Sequence, residues 1–549
     1  MTMNRKFYSW FLGLAIVGLI FSQCKNPLDD VELAVDSNIF KYTTLLEINS
    51  TSGSPIGSNA TVTITGADAS KIYNLDGRRT FQVNGGVLGL AVSPGNEPTT
   101  TSPLNFNVSI AAPGHLTTVI PVRINASQKG SFTKVSMVDI SNPPQGVAIE
   151  TKTVSLSSTG ATTVATTLAT NSSSASPEAV AISLPAGTQF KAADGSNIVA
   201  SSLSVSTLTA NTGNPTSLTI FPGGSLSSPA VKTNSGSNAA GTLLPAALTE
   251  ISMTAGTTNV KSFNQPITVN MQLDEDFYNP NTKAKVKAGD VISIYSFSAE
   301  KGIWEYENTG TVVSSGGKFS VNVNTTHLTW FMAGDFAASC ASPLTVKLTA
   351  SWLASDVTHP VTVKVFSTNA TGRDKVLDQK TITATNESEL VIASLPQQAV
   401  IIVAYDVDGN ELAVSNVADP CSTGTVTMNL ATSPTANNPK ITMQLYVRCP
   451  NNTGTVSILP TFYLYYREVN GASSEYKLLG VVEKGYITTT LISTAKRYDF
   501  KAIWGSSTKL VGNQEIKVEN LTTLGDFNGA YSQGTNLQIL TEKCKELGY

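Results

Sequence analysis

At 549 residues the chain is longer than one hydrophobic core supports, so several domains are expected. Charged residues make up only 14% and the net charge is −3, which excludes the basic face that nucleic acid or an anionic lipid surface demands. Ser, Thr, Asn, Gly and Val are abundant and long helical heptads are missing, a composition that points to an all-β secreted protein.

Asn4, Arg5 and Lys6 form a short basic segment, Trp10 to Phe21 is apolar, and Ser22-Gln23-Cys24-Lys25 follows. That order reads as a secretory signal ending at a cysteine. It resembles a bacterial lipoprotein signal, which is cut immediately before a Cys that carries acyl chains. The usual box has Leu at −3 and a small residue at −1, where this chain has Phe21 and Gln23. Two other outcomes stay open. The apolar run stays uncut, although it is shorter than the roughly 20 residues of a spanning helix, or ordinary cleavage leaves Cys24 a plain thiol. The lipoprotein resemblance implies a signal peptide over 1–23 and a lipidated tether over 24–37. A triacylated Cys24 holds a membrane without a basic patch. Lys25-Asn26-Pro27-Leu28-Asp29-Asp30 resembles the surface-export signal of Bacteroidota lipoproteins, which implies an outer-membrane, surface-exposed location.

Short alternating runs then recur about every dozen residues, broken by Gly, Pro and Asn: Lys41 to Ile48, Ala60 to Thr65, Leu88 to Val92, Asn105 to Ile110, Thr118 to Ile124. They predict a small antiparallel sandwich over 38–128. Pro55, then Ala60, Val62 and Ile64, then Asp76-Gly77, then Ala112-Pro113-Gly114-His115 resemble the carboxypeptidase-regulatory or transthyretin-like domains. That family implies a structural or binding module with no catalytic set.

A larger β-sandwich is expected over 129–338. Ile182 to Thr188, Gly302-Ile303-Trp304 and His327-Leu328-Thr329 resemble, in order, the spectrin-binding sandwich of ankyrins and the ectodomain of cartilage intermediate layer proteins. The run Thr233 to Gly241 reads as a solvated loop inserted into that pattern. Ser433 to Pro439 is a turn-rich linker. It divides an Ig-like sandwich over 339–432 from a C-terminal Ig-like sandwich over 433–549, and the two read as diverged copies of one module. The fold class is therefore all-β, with tandem antiparallel sandwiches after a signal peptide.

Setting Cys24 aside leaves Cys340, Cys421, Cys449 and Cys544, an even number suited to disulfides in an exported chain. Of three connectivities, Cys340–Cys421 with Cys449–Cys544 is favoured, because each bond would tie the start of a domain to its end. Closing loops of that length stabilises by roughly 4 kcal/mol each in the chain-entropy model. No CxxC spacing points to zinc.

Candidate chemistry is sparse. His115, His327 and His359 fall in three different units with no metal spacing, and structural roles are expected. HExxH and GxSxG motifs are missing. Ser131 to Lys134 and Ser315 to Lys318 match SxxK, but in strand and turn sequence rather than at a helix start. Asp274-Glu275-Asp276, beside Phe277 and Tyr278, could present Asp274 and Asp276 as a glycosidase pair, a sugar contact or calcium ligands; a solvated loop is favoured. Asp406 to Glu411 starts like a calcium loop but has Val417 where the twelfth-position Glu belongs, so a hairpin turn is favoured. Aromatics cluster in the last unit. Alternation puts Phe462, Leu464 and Tyr466 on one face and Tyr463, Tyr465 and Arg467 on the other. One face forms the core, so Tyr463, Tyr465 and Arg467, with Trp504, are the candidates for ligand contact, against a purely sheet-stabilising role.

The sequence thus favours a non-enzymatic cell-surface lipoprotein: a multi-domain stalk presenting a C-terminal domain to a protein or glycan ligand. Two alternatives are a carbohydrate-binding accessory or weak glycoside hydrolase, and a structural subunit of an outer-membrane assembly. No cofactor or metal is expected; the expected partners are the membrane, through the lipid anchor, and that ligand, with no nucleic acid.

Overall fold

A computed structural model of the chain describes residues 33–523, apart from 37–39, 127–128, 257, 355, 358, 370–371, 449–455, 460, 472–474 and 505–506. Cys24, Cys449 and Cys544 lie outside the described residues, and with them the lipidation and the second disulfide. The regular structure of the described chain is strand, apart from two short 3-10 turns. No helix among the described residues is long and apolar enough to cross a membrane.

The strands form where apolar and polar residues alternate, because successive side chains point to opposite sheet faces. Leu344–Thr349 is the plainest case: Leu344, Val346 and Leu348 are buried while the intervening Thr and Lys are not. In the first unit, Thr43–Ser50, Val87–Val92 and Ile72–Asn74 face a second sheet of Thr61–Thr65, Leu104–Ala111 and Thr118–Ile124. Leu46, Ile48, Leu90, Phe106, Val108 and Ile120 fill the space between them. Gly130–Met137, which the division at residue 128 assigns to the next unit, runs parallel to Thr43–Ser50 and contributes Val135 and Met137 to this core.

The same closure recurs twice more. Leu344–Thr349 pairs in parallel with Thr425–Asn429, and Ile441–Arg448 with Glu519–Thr523. In three units, then, the first strand lies parallel to the last while the connections between are antiparallel, the Ig-like arrangement. Cys340 and Cys421 form a disulfide across the third unit, 81 residues apart in sequence. The turn Asp406 to Asn410 joins Val400–Tyr405 to Glu411–Val417. The Asp406 carboxylate accepts the Asp408 and Asn410 amides at 2.9 Å each, so this segment is a hairpin turn.

The second unit pairs a large sheet, built around Asn238–Ala255, Ser202–Ala210 and Trp330–Ala338, with a smaller one built around Ser262–Gln272 and Lys318–His327. Its core includes Ile182, Phe190, Val205, Ile251, Val269 and Phe331. The 18-residue strand Asn238–Ala255 breaks register between Pro245 and Ala247, where a proline with no amide to donate is tolerated. The predicted loop at Thr233 to Gly241 is shorter than expected: Thr233 to Ser237 is a tight turn, closed by Thr233 N–H to Ser237 C=O at 2.9 Å, and the strand begins at Asn238.

The units are not strung in chain order. Leu208, Leu248, Met332 and Trp304 of the second share one apolar cluster with Val361, Val363, Leu377 and Leu390 of the third. Phe132 pairs with Thr381, which joins the sheets of the first and third units into one of eight strands. The first unit also packs on the last, where Leu45 and Val87 meet Tyr463, Tyr465 and Ile503. Leu33–Asp36, inside the 24–37 span expected as a tether, is a strand that adds in parallel to Val456–Leu459 of the last unit.

Candidate functional site

The strand Phe462–Glu468 alternates as its sequence predicts. Phe462, Leu464 and Tyr466 enter the core of the last unit, and Tyr463 and Tyr465 face the other way. That second face is not open to ligands. Tyr463 is 3% exposed and Tyr465 1% exposed, because the first unit covers them. Tyr463 shares a 2.7 Å hydrogen bond with Thr43 and meets Phe132 edge-on at 5.1 Å between centroids. Burial pushes its hydroxyl up to about 12. Both tyrosines are therefore corrected from ligand contacts to inter-unit packing. Trp504 ends the strand Arg497–Trp504, and its side chain lies outside the described residues.

Arg467, from the same candidate set, lies elsewhere. It borders a cleft of about 400 Å³ between the third and last units. Three segments build the cleft: the Asp406 to Asn410 hairpin, the linker around Thr435 and Asn438, and the strands carrying Tyr466, Lys477 and Tyr498. Tyr466 and Tyr498 pack edge to face at 6.0 Å. The Tyr498 hydroxyl accepts the Ser493 amide at 3.0 Å, which fixes the turn beside it. Asn438 donates to the Thr490 carbonyl at 2.9 Å and ties the linker to the last unit.

Ion pairs ring this recess. Lys477 pairs with Asp408 across the two units, Lys496 with Glu468 at 2.7 Å, and Arg467 with Asp499 at 2.9 Å. The Arg467 guanidinium also lies 4.7 Å from the centre of the Tyr476 ring. The Asn513 amide, and then Arg467, hold the Asp499 carboxyl below its usual range. Burial raises the Tyr466 hydroxyl, and the Asp408 charge adds to it, so that phenol stays a neutral donor. Three acids (Asp408, Glu468, Glu475) and three bases (Arg467, Lys477, Lys496) line the cleft, so its formal charge balances. A balanced array of donors and acceptors against aromatic walls suits a neutral, hydroxyl-rich ligand better than an anion or a cation. Reading Phe462–Glu468 alone does not show that the first unit covers the Tyr463 face. The signal for Tyr466 and Tyr498 was the aromatic cluster, but nothing local indicates that Asp408 of another unit completes the wall.

The acidic run resolves into separate environments. Asp276 pairs with Lys285 at 2.5 Å and Glu275 with Lys318 at 2.5 Å, both at the surface. Asp274 turns inward, and its carboxylate accepts the Asp276 amide at 2.9 Å. The histidines are engaged separately. His359 is buried beside Trp352, with Nε2 3.2 Å from the Thr490 hydroxyl, and burial lowers it to about 4. His327 Nε2 lies 3.1 Å from Glu307. His115 Nδ1 lies 2.9 Å from the Pro113 carbonyl and Nε2 3.0 Å from Ser50 Oγ. That serine oxygen also accepts the Ser52 amide at 3.2 Å, so the contact braces a turn. Ser131 lies in a strand and donates to Thr44 at 2.8 Å, while Lys318 opens a strand after a turn; neither serine starts a helix. Among the described residues no three His, Cys, Asp or Glu converge on a metal.

No protein-family model matches the chain, and no curated protein matches its sequence. Solved structures with local similarity include the shaft pilin SpaA of Lactobacillus rhamnosus GG. It is 10% identical with a TM-score of 0.17, over 33% of this chain and 96% of that one. The major pilin subunit BcpA of Bacillus cereus is 8% identical with a TM-score of 0.13, over 71% of this chain and 98% of that one. A streptococcal ancillary pilin is 9% identical with a TM-score of 0.14, over 44% and 93%. TM-scores this low leave the geometry of the chain itself as the basis for function.

Proposed function

We propose that this chain is a non-enzymatic, lipid-anchored protein of the outer-membrane surface that binds a neutral saccharide-type ligand between its third and last units. One observation carries the binding: a recess of about 400 Å³ with three acids, three bases and two packed tyrosines at its wall. Export is supported by the N-terminal signal and by the Cys340–Cys421 disulfide, a bond that persists in oxidising compartments. The histidines are engaged separately, in packing, an ion pair and a turn contact, which supports a role without catalysis.

The expected stalk, with the last unit at its far end, gives way in this proposal to a folded-back body. Leu33–Asp36 pairs with the last unit, and the chain from Cys24 to that strand spans at most about 30 Å at 3.3–3.6 Å per residue. The test is a glycan array followed by calorimetry on the mature chain, beside Glu468→Gln and Lys496→Ala. Binding to neutral saccharides, weakened at least about tenfold in both variants, is expected, since each removes a charged hydrogen-bonding partner. An array without hits, or affinities unchanged in both variants, would overturn the reading.

A further inference from the structure

A second polar niche lies in the second unit, away from the cleft. The loop Ser173 to Glu178 folds back on itself, with the Ser173 amide donating to the Ser176 carbonyl at 2.9 Å. Asn211 donates through Nδ2 to the Ala175 carbonyl at 3.1 Å and so fastens this loop to the turn Asn211 to Asn214. Asp274 enters from the other sheet, its amide bonded to the Ala246 carbonyl at 2.8 Å. Gly213 keeps the space between them open: a Cβ there would stand 3.3 Å from both Asn211 Oδ1 and Asp274 Oδ2.

Two buried oxygens in this niche have no hydrogen-bond partner. Glu178 and Ser176 are each 3% exposed, and Glu178 Oε2 and Ser176 Oγ are both unsatisfied. Buried polar atoms are nearly always paired, so these two oxygens call for a partner. The Glu178 carboxyl faces Asp274, the one member of the Asp274-Glu275-Asp276 run with no lysine in direct ion pair among the described residues. Lys318 also acts on Glu178 but is paired with Glu275 at the surface, so the two carboxyls in this shielded niche require either a shared proton or a cation.

We propose that Glu178, Asp274, Asn211 and Ser176 form a calcium site that clamps the Ser173 to Glu178 loop to both sheets of the second unit. The donor set is all hard oxygen: two carboxylates, one amide and one hydroxyl. Calcium accepts such mixed oxygen ligands in flexible geometry, whereas magnesium demands a near-ideal octahedron and zinc favours nitrogen and sulfur. With only two carboxylates, the affinity belongs with extracellular modules, on the order of 10⁻⁴ M. This site is independent of the saccharide cleft.

The experiment is calorimetric titration of calcium chloride into the chelator-treated mature protein, with melting curves in calcium and in EDTA. A saturable one-to-one heat and a higher melting temperature in calcium are expected. Glu178→Gln and Asp274→Asn should each weaken binding at least about tenfold, while Asp276→Asn, which removes only a surface pair, should leave it unchanged. Glu178→Gln keeps the side-chain shape, so circular dichroism separates lost binding from lost folding. No calcium-dependent heat or melting shift in the wild type would overturn the proposal and assign Glu178 as a proton-bearing carboxyl. Equal binding by wild type and Glu178→Gln would overturn it as well.

Discussion

Replacing Tyr463 by alanine tests whether the first and last units are locked together. The ring is 3% exposed, shares a 2.7 Å hydrogen bond with Thr43, and meets Phe132 at 5.1 Å. Large buried aromatics cut back to alanine cost about 3–5 kcal/mol. The hydrogen bond alone accounts for about 1 kcal/mol and the edge-on ring pair for about another 1 kcal/mol. Tyr463 points away from the core formed by Phe462, Leu464 and Tyr466, so the last unit keeps its own packing. The loss should therefore fall on the contact between units. Tyr463→Phe should retain the compact body at a cost of about 1 kcal/mol. Tyr463→Ala should raise the radius of gyration in small-angle scattering and speed proteolysis in the linker before residue 440. Denaturant melts of all three proteins give the magnitudes. If Tyr463→Ala leaves scattering and stability unchanged but abolishes ligand binding, the ring is an exposed contact residue and the burial argument fails.

Reduction of Cys340–Cys421, or its replacement by two serines, should cost the third unit about 4–5 kcal/mol for an 81-residue loop, read as a lower melting temperature that reductant no longer changes in the variant. Glu250 has a carboxyl oxygen shielded from solvent without a partner, and burial raises it to about 8. A carboxyl raised on folding adds stability that is full below its unfolded value near 4.5 and is lost as pH rises through about 8. Glu250→Gln should therefore stabilise by up to about 4 kcal/mol at pH 9 and have little effect at pH 4; equal effects at both would refute the shift. Gly302 has a φ of +67°, and a Cβ there would collide with the buried Asn107 side chain of the first unit. Gly302→Ala should cost about 1–3 kcal/mol in thermal melts, and a neutral result would mean that this contact between units is loose.

Much of this protein is written in local patterns. Alternation in Leu344–Thr349 and Phe462–Glu468 specifies strands and their two faces, since the side-chain period of a strand is two whatever surrounds it. The Asp406 to Asn410 turn and the Cys340–Cys421 bond follow from short-range turn chemistry and from cysteine placement. An all-β, multi-unit chain was legible on these grounds alone. What covers the second face of a strand is a different matter. Nothing near Tyr463 indicates that Leu45 and Val87, some four hundred residues earlier, will bury it, because such pairing depends on how whole units dock. The parallel closures, such as Thr43–Ser50 with Gly130–Met137, join chain ends that no local period relates. The cleft wall likewise needs Asp408 of the third unit beside Tyr466 of the last, and the Glu178 niche needs Asp274 from another sheet. Periodicity decided which residues could be buried; tertiary docking alone decided which of them are, and which polar groups were left to form sites.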